Sequence, residues 1–334
     1  MIKRLRYYTN YRENTIPYRN LAIEEALLER VEPGECILYL WQNRHTVVIG
    51  RNQNAWQECK VNALEQDGGF LVRRLSGGGA VYHDLGNLNF TFFARKEDYD
   101  VQRQLSVILD AVQAFGLQAV KSGRNDLEID GQKFSGNAFY DSKGHCYHHG
   151  TILVQVDLAR MSEFLQVSKA KLASKGVQSV RSRVVNLAQL APQIDIDSLS
   201  SQLIQSFQRV YGLPAEELLP QELAQEELAR REAFFASANW RFGAKLEFTS
   251  LLEQRYPWGS LQMGFVVKNG MVQKAVVYSD GLEADFLSCL PDYFVGASYE
   301  PAALSERLLH VPVDSEAQSE LIQSALDLLR TQLE

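Results

Sequence analysis

Short β-rich runs joined by very short turns constrain the fold of this chain most. Such turns lie at residues 84–86, 131–132 and 269–270, and each separates two runs rich in β-branched and aromatic residues. A parallel crossover needs a dozen or more residues, so runs spaced this closely favour antiparallel pairing. The Asn-Gly pair at 269–270 is a strong hairpin signal. We therefore predict an α+β fold built on a mixed, mostly antiparallel sheet flanked by helices.

The helical segments follow from apolar spacing and end signals. We predict helices over residues 20–31, 55–66, 102–115 and 198–211, with Asn20 as the N-cap of the first. The strands are predicted from short β-rich runs, at residues 36–41, 46–50, 70–74, 127–130, 133–140 and 148–158.

A change of composition suggests where the chain divides. Residues 214–239 are rich in glutamate and contain Pro220, which predicts a solvated helix or linker and not a core element. Residues 240–334 hold a clear hairpin and two helical segments. At 334 residues the chain is long enough for two domains. We predict a large domain over residues 1–213 and a small α+β domain over residues 240–334.

Composition and cysteine usage exclude several classes of protein. The formal net charge of −7 argues against general nucleic-acid binding. No apolar run reaches the ~18 residues of a membrane span, and the first residues lack the apolar core of a signal peptide. The cysteines are too scattered for a zinc or disulfide framework. A reduced, cytoplasmic protein is the expectation.

Three consecutive glycines, residues 77–79, follow the pair Arg73 and Arg74 and precede a strand-like run. Consecutive glycines allow the backbone to approach a ligand, and their N–H groups can converge on an anion. An arginine fork suits phosphate or carboxylate. The spacing matches neither a Walker A loop nor a dinucleotide fingerprint. A phosphate-binding loop and a flexible hairpin both remain open from composition alone.

Two further groups of polar residues are candidates for chemistry. Asn125 and Asp126 offer the oxygen ligands that Mg²⁺ prefers. Lys133 enters a small, apolar run and could be a fixed cation in a pocket or a surface lysine beside a turn. His148 and His149 are adjacent strand residues that point to opposite faces. We expect one of these histidines to line a pocket and the other to be structural.

A basic segment follows the last predicted strand of the large domain. Residues 169–183 carry five Lys or Arg residues and no acidic one. A charged surface helix is the usual explanation. The alternative is a loop that covers a phosphate-bearing ligand and is mobile without it.

Four motifs together resemble a known family. RRLSGGGAVYHDLGN, SGRNDLEIDGQKFSGNA, HHGTILVQVDL and KGVQSVRSRVVNL occur in the order and spacing of bacterial-type lipoate–protein ligases, within the biotin/lipoate ligase superfamily. The resemblance covers about residues 21–190 and continues weakly in the C-terminal module. It implies that the large domain is catalytic and that the small domain is an accessory domain.

The resemblance also implies a reaction. The family activates lipoate with ATP, forming lipoyl-AMP and pyrophosphate, and transfers the lipoyl group to a specific lysine. The acceptors are lipoyl domains of 2-oxoacid dehydrogenase acyltransferases and the glycine-cleavage H protein. ATP is a substrate and Mg²⁺ an activating ion, and no tightly bound prosthetic group is expected.

Motif matching assigns site residues in this sequence. Lys133 matches the family lysine that contacts the adenylate phosphate and the lipoyl carboxyl oxygen, and it is the predicted catalytic residue. Asp126 is a possible magnesium ligand. The residues predicted to bind substrate or ATP are Arg74, Gly77, Gly78, Gly79, Ala80, Val81, Tyr82, Lys133 and His149.

Two other functions remain to be separated from the ligase. The first is an octanoyl- or lipoyl-transferase of the same superfamily, which uses no ATP and carries the acyl group on a cysteine. Cys146 is the one thiol near the motifs. The second is a catalytically silent protein that senses lipoate. A pyrophosphate-release assay with lipoate and ATP discriminates all three.

Overall fold

The structure is a computed structural model that describes residues 1–123, 126–166, 184–243 and 247–333. The chain forms two compact units. The large unit comprises Met1–Val48, Cys59–Arg73 and Val81–Arg241. The small unit comprises Ile49–Glu58, Arg74–Ala80 and Phe242–Glu334. Each unit is described by itself below.

Eleven strands precede residue 218 in the described part of the chain. They are β1 (Arg4–Thr9), β2 (Glu35–Trp41), β3 (Thr46–Ile49), β4 (Phe70–Arg73), β5 (Val81–His83), β6 (Asn87–Arg95), β7 (Val120–Ser122), β8 (Asp126–Ile129), β9 (Gln132–Ser142), β10 (His145–Leu153) and β11 (Ala215–Glu217). Eight of them form one sheet in the order β11-β1-β2-β6-β10-β9-β8-β7, and β4-β3-β5 form a second. In the large sheet β1 runs parallel to β2 and β11. The other neighbours are antiparallel, as predicted.

Helices cover both faces of the large sheet. The helices described before residue 243 are α1 (Pro17–Arg30), α2 (Ala55–Glu58), which lies in the small unit, α3 (Val61–Gln66), α4 (Val101–Gln113), α5 (Leu158–Phe164), α6 (Leu187–Leu190), α7 (Ile196–Tyr211), α8 (Gln225–Ala236) and α9 (Ala238–Phe242). Leu105, Ile108 and Val112 recur at helical spacing on α4 and are buried. They belong to the same core cluster as Phe92 of β6 and Phe207 of α7. This core lies on the sheet face opposite α1.

The first helix does not begin where the sequence suggested. It starts at Pro17, because proline fits the first turn, where its missing N–H costs nothing. Asn20 therefore lies inside α1, is fully buried, and does not cap it. Its side-chain amide donates to the carbonyl of Gln42 at 2.7 Å and to Oδ1 of Asn43 at 2.9 Å. The prediction of Asn20 as an N-cap was wrong.

The helix predicted over residues 55–66 is two short helices, α2 and α3. The chain is extended at Cys59, which forms an isolated β-bridge with Leu165. The N–H of Lys60 then donates to the carbonyl of Phe164 at 3.0 Å. This contact with a distant segment interrupts a pattern that is locally helical.

The glutamate-rich segment is not a free linker. Its strand β11 extends the large sheet, and α8 packs on α1 with Leu228 and Phe235 buried. Arg231 is also buried and pairs with Glu25 at 2.8 Å and with Glu227 at 2.8 Å. The prediction missed this packing because Arg231 pairs with Glu25 of α1 as well as with Glu227 of its own helix, and the first of these contacts joins segments far apart in the chain. The domain boundaries at 213 and 240 stay a prediction.

From residue 247 onward, the described residues of the small unit form an antiparallel sheet and three helices. These elements are β12 (Ser250–Tyr256), β13 (Gly259–Lys268), β14 (Met271–Ser279), α10 (Ala284–Phe294), α11 (Pro301–Leu309) and α12 (Glu316–Leu333). Asn269 and Gly270 turn β13 into β14 with φ angles of 53° and 73°, which confirms the predicted hairpin. Phe265, Leu287 and Leu328 lie in the core of this unit. Among the described residues, no helix combines the length and apolar character that crossing a bilayer requires.

Candidate functional site

A row of paired residues crosses four strands on the α1 face of the large sheet. Asp126 of β8 pairs with Gly136 of β9, Gly136 with Thr151 of β10, and Thr151 with Asn89 of β6. Directly paired residues share a face. The next row on this face contains Ala138 and His149, which also pair. Gly136 and Thr151 lie in the first of these two adjacent rows, and Ala138 lies in the second. We call these three residues together the small-residue row.

Lys133 lies at one end of the small-residue row. Its Nζ is 2.6 Å from Oδ1 of Asp126. Its chain bends over Gly136, where an ideal Cβ would lie 2.9 Å from Nζ and 3.0 Å from Cε. The backbone is held too, because the N–H of Val185 donates to the Lys133 carbonyl at 3.0 Å. The structure therefore places a partly exposed cation at a defined point on this face.

His149 lies at the other end of the row and is bound to a buried acid. Its Nδ1 is 2.8 Å from Oε1 of Glu24 on α1. The Thr91 hydroxyl donates to the same oxygen at 2.7 Å, and Trp41 Nε1 donates to that hydroxyl at 3.1 Å. A buried carboxylate requires such partners. These bonds fix the imidazole, whose ring centroid lies 4.7 Å from that of Tyr147.

His148 points to the opposite face and belongs to the core. It is fully buried, and its ring lies against Phe90, Phe92 and Phe139. Its Nε2 lies 2.8 Å from Oδ1 of Asn137. Burial lowers its pKa from 6.5 to about 3, so the imidazole is neutral in the folded protein at neutral pH.

The neutral His148 predicts an acid-sensitive fold. Below pH 6.5 the unfolded chain binds a proton at this histidine and the folded chain does not, so stability falls as pH falls. We expect this group alone to remove about 1.4 kcal/mol of unfolding free energy per pH unit below about 6.5. The free energy of unfolding, measured with urea, should be lower at pH 5 than at pH 7 in the wild type by this amount. In His148→Gln the difference between the two pH values should lack this contribution. Equal pH dependence in both proteins would contradict the assignment.

The glycine-rich loop, residues 74–80, belongs to the small unit. Arg74 is buried, and its guanidinium donates to the carbonyls of Gly77 and Gly79 at 2.6 and 2.9 Å. Its Nε also donates to the hydroxyl of Ser76 at 3.0 Å. Arg74 thus closes the loop on its own backbone.

Close packing explains the glycine at position 77. An ideal Cβ there would lie 2.2 Å from the carbonyl oxygen of Gly281 and 3.0 Å from Cα of Leu282. The next residue, Gly78, donates its N–H to the same carbonyl at 3.0 Å. The loop is therefore bound to the start of the segment that leads into α10, within the small unit. Glycine is required here by the protein's own backbone, whatever ligand the loop binds.

Strand β5 carries the rest of the predicted nucleotide-binding stretch. Val81 is half-buried and pairs with Val48. The Tyr82 ring is buried beside His45 and Phe164, and its hydroxyl lies 3.0 Å from Nδ1 of His45. A nucleotide contact at Tyr82 would therefore involve its backbone. Ala80 is half-buried at the end of the loop.

The predicted site residues divide between the two units. Asp126, Lys133 and His149 lie on one face of the large unit, which also holds Val81 and Tyr82. The residues from Arg74 to Ala80 lie in the small unit. Asn125 and the basic segment 169–183 lie outside the described residues.

The donor set for magnesium is small. Within the described residues there is no group of three or more His, Cys, Asp or Glu side chains that could hold a metal ion. The predicted ligand Asp126 is bound to the Lys133 ammonium. The described part of the chain therefore offers no cage for Mg²⁺.

Both parts of the chain match described families. Residues 16–208 match the lipoyl protein ligase A/B catalytic domain, and residues 245–329 match the bacterial lipoate protein ligase C-terminus. A lipoate-protein ligase A from Psychrobacter cryohalolentis is 39% identical over 294 residues, which cover 86% of this chain and 87% of that protein. The chain belongs to the lipoate–protein ligase family.

Solved structures of ligases agree with this membership. LipL1 of P. falciparum, solved in complex with lipoate, superposes with a TM-score of 0.83 at 26% identity and covers 97% of this chain and 99% of its own. A lipoate-protein ligase A bound with ATP superposes with a TM-score of 0.60 at 28% identity and covers 73% of this chain and 99% of its own. The predicted fold class and ligase activity are confirmed.

The environment of Cys146 agrees with a ligase that needs no thiol. The residue is buried on β10, opposite Ala94 and Asp141. Burial, with a smaller effect of Asp141, raises the pKa of the thiol to about 12. A nucleophilic cysteine acts as the thiolate, which is scarcely populated here at neutral pH. The structure therefore disfavours an acyl-cysteine route in this lipoate–protein ligase.

Sequence reasoning missed three residues that contact the predicted site residues. Glu24, which binds His149, could have been noticed as an acid among the apolar residues of a helix. Gly136, under the lysine, stands in the motif but was not singled out. Gly281, which contacts the glycine-rich loop, carries no local signal because the contact joins segments far apart in the chain.

Proposed function

We propose that this ligase activates lipoate with ATP to lipoyl-AMP and then transfers the lipoyl group to a lysine of a lipoyl acceptor domain. The observation that carries the proposal is the position of the Lys133 ammonium, held at one end of the small-residue row with His149 at the other. The lipoate bound to LipL1 and the ATP bound to a lipoate-protein ligase A support both substrates.

The geometry of the row suits an extended acyl chain. The lipoate carboxylate would pair with the Lys133 ammonium, and its aliphatic chain would lie over Gly136, Ala138 and Thr151. From Gly136 to Ala138 is about 7 Å along the strand, and His149 lies one strand further, about 5 Å across. Small side chains leave room for methylene groups on this face. The dithiolane ring would then lie towards His149.

Lys133 would act on both chemical steps. In the first, a carboxylate oxygen of lipoate attacks the α-phosphorus of ATP, and the bond to pyrophosphate breaks. In the second, an acceptor lysine amine attacks the acyl carbonyl, loses a proton, and AMP leaves. Negative charge develops on oxygen in each step, and a fixed ammonium stabilises it. No protein nucleophile is required, because the adenylate is the activated species.

The glycine-rich loop is the proposed nucleotide contact in the small unit. Gly77, Gly78, Gly79 and Ala80 would present backbone N–H groups to ATP or the adenylate. Arg74 would act chiefly by holding the loop closed, since its guanidinium is bound to loop carbonyls. This assignment differs from a direct arginine–phosphate contact.

Magnesium enters the proposal as a companion of ATP. When bound, the ion would neutralise charge on the phosphates. Asp126 is the described carboxylate that motif matching points to, and one carboxylate suits an ion that keeps its waters and phosphate ligands.

The acceptors and the compartment are also proposals. We propose lipoyl domains of 2-oxoacid dehydrogenase acyltransferases and the glycine-cleavage H protein as acceptors, because the family resemblance implies them. Four free cysteines, three of them buried, support a reducing cytoplasmic location.

One assay tests the activation step. The protein should release pyrophosphate only when lipoate, ATP and magnesium are all present. Omission of lipoate serves as the control, because it removes the attacking carboxylate and leaves any contaminating ATPase visible. A protein that binds lipoate but releases no pyrophosphate would be a lipoate sensor and not a ligase.

A variant of Cys146 separates the ligase from the transferase. We expect Cys146→Ser to keep ATP-dependent lipoylation within about twofold, because the thiol has no step to perform and the swap nearly conserves volume. The measurement is lipoyl transfer to an acceptor domain with and without ATP. An inactive Cys146→Ser protein, together with ATP-independent octanoyl transfer by the wild type, would decide for the transferase.

A further inference from the structure

We propose that Asp126 and Gly136 are positioning residues for Lys133, and that Asp126 acts through this lysine more than through a metal ion. The inference rests on the proposed function, because it concerns the group that would stabilise charge in both steps. The three residues form a cradle: Asp126 on β8 holds the ammonium, and Gly136 on β9 leaves the space in which it lies.

A β-bulge builds the cradle. In the β8–β9 pairing Leu127 faces Ser135 while Glu128 faces Lys133, so Phe134 is an extra residue on β9. Phe134 is fully buried in the core. Bulges re-aim side chains next to functional sites. Here the side chain of Lys133 runs along its own strand towards Gly136, which lies three residues nearer the C-terminus.

Gly136 leaves the space in which the end of the lysine side chain lies. The atoms within 3.0 Å of a Cβ at this position are Nζ and Cε of Lys133. They form the far end of a flexible side chain, so an added methyl group would displace the lysine and leave the backbone in place. A methyl group at position 136 should therefore change activity far more than stability.

Asp126 fixes the direction of the ammonium. A lysine ammonium has three N–H donors on a flexible stem, and the ion pair with Oδ1 of Asp126, at 2.6 Å, restrains where it lies. Its N–H donors can then face a substrate oxygen. The pair is about one-third exposed on each side, so solvent weakens it and the lysine can move to a substrate anion.

The test compares Asp126→Asn and Gly136→Ala with Asp130→Asn, an exposed acid in the adjoining turn, as the matched control. The rate of pyrophosphate release gives three quantities for each protein: kcat, KM for lipoate, and the magnesium concentration that supports the half-maximal rate. We expect kcat to fall about tenfold or more in both variants, since misplacement of about 1 Å can cost 10²-fold. Half-saturating magnesium should be unchanged, the thermal midpoint of Gly136→Ala should stay near that of the wild type, and Asp130→Asn should be unaffected.

A second readout does not depend on catalysis. Acetic anhydride labelling of the ligand-free protein, followed by peptide mass spectrometry, measures how accessible each lysine amine is. Lys133 should react several-fold faster in Asp126→Asn and at a changed rate in Gly136→Ala, with other lysines unchanged as internal standards. Should the wild type release no pyrophosphate, the proposed function fails while this readout still judges the cradle.

Three results would overturn the proposal. The first is wild-type kcat in either variant. The second is an Asp126→Asn protein whose rate recovers at high magnesium, which would make Asp126 a metal ligand. The third is unchanged labelling of Lys133 in both variants. If Gly136→Ala fails to fold, Asp126→Asn decides, because it keeps the shape of the side chain and removes only its charge.

Discussion

Replacing Lys133 by alanine should lower the rate of lipoyl-AMP formation by about 10²–10³, which is typical for the loss of one preorganised stabilising group. The expectation follows from its ammonium, held 2.6 Å from Asp126 at one end of the small-residue row. Stability should change little, because the side chain is partly exposed and its ion pair is screened by water. Pyrophosphate release and thermal unfolding measure the two quantities.

Lys121→Ala is the matched control for this experiment. Lys121 is an exposed lysine on β7, in the same sheet. Its replacement removes an equal charge and should leave the rate unchanged. A Lys133→Ala protein that activates lipoate at close to the wild-type rate would refute the role given to this residue.

Replacing Gly77 by alanine should damage both the stability of the small unit and the use of ATP. The new Cβ would meet the Gly281 carbonyl oxygen at 2.2 Å, and backbone atoms cannot yield as a side chain can. Overpacking of this kind costs about 1–3 kcal/mol. Displacement of the loop should also raise the KM for ATP about tenfold or more, if the loop binds the nucleotide as proposed.

The control for Gly77→Ala is Gly296→Ala in the same unit. Gly296 has a φ of 80° and nothing within 4 Å of its ideal Cβ, so alanine there reports backbone strain without a collision. Denaturant unfolding and ATP titrations compare the two variants. If Gly77→Ala were as stable as the wild type with an unchanged KM for ATP, the contact with Gly281 would have no importance.

The features that could be predicted from sequence are those with local causes. The hairpin at Asn269 and Gly270 is specified by two residues that tolerate positive φ. The antiparallel order of β8, β9 and β10 follows from turns too short for any other connection. Lys133 was assigned from motif matching, and its catalytic role stays a prediction; the structure shows its ion pair with Asp126 and its approach to Gly136.

The features that could not be predicted depend on contacts between distant segments. His149 and Glu24 are 125 residues apart, and only the packing of α1 on the sheet brings them together. Asn20 has the sequence signature of a helix cap, but buried hydrogen bonds to residues of another segment place it inside α1. The acidic run around Arg231 has the composition of a linker, and only the α1–α8 contact explains it.

Mass analysis of an acceptor domain tests the central claim most directly. A purified lipoyl domain is incubated with the protein, lipoate, ATP and magnesium, and its intact mass and modified peptide are measured. We predict the mass increase of one lipoyl group on one lysine, only when ATP is present, and greatly slowed with Lys133→Ala. An unmodified domain, or one modified without ATP from an acyl-carrier donor, would contradict the account.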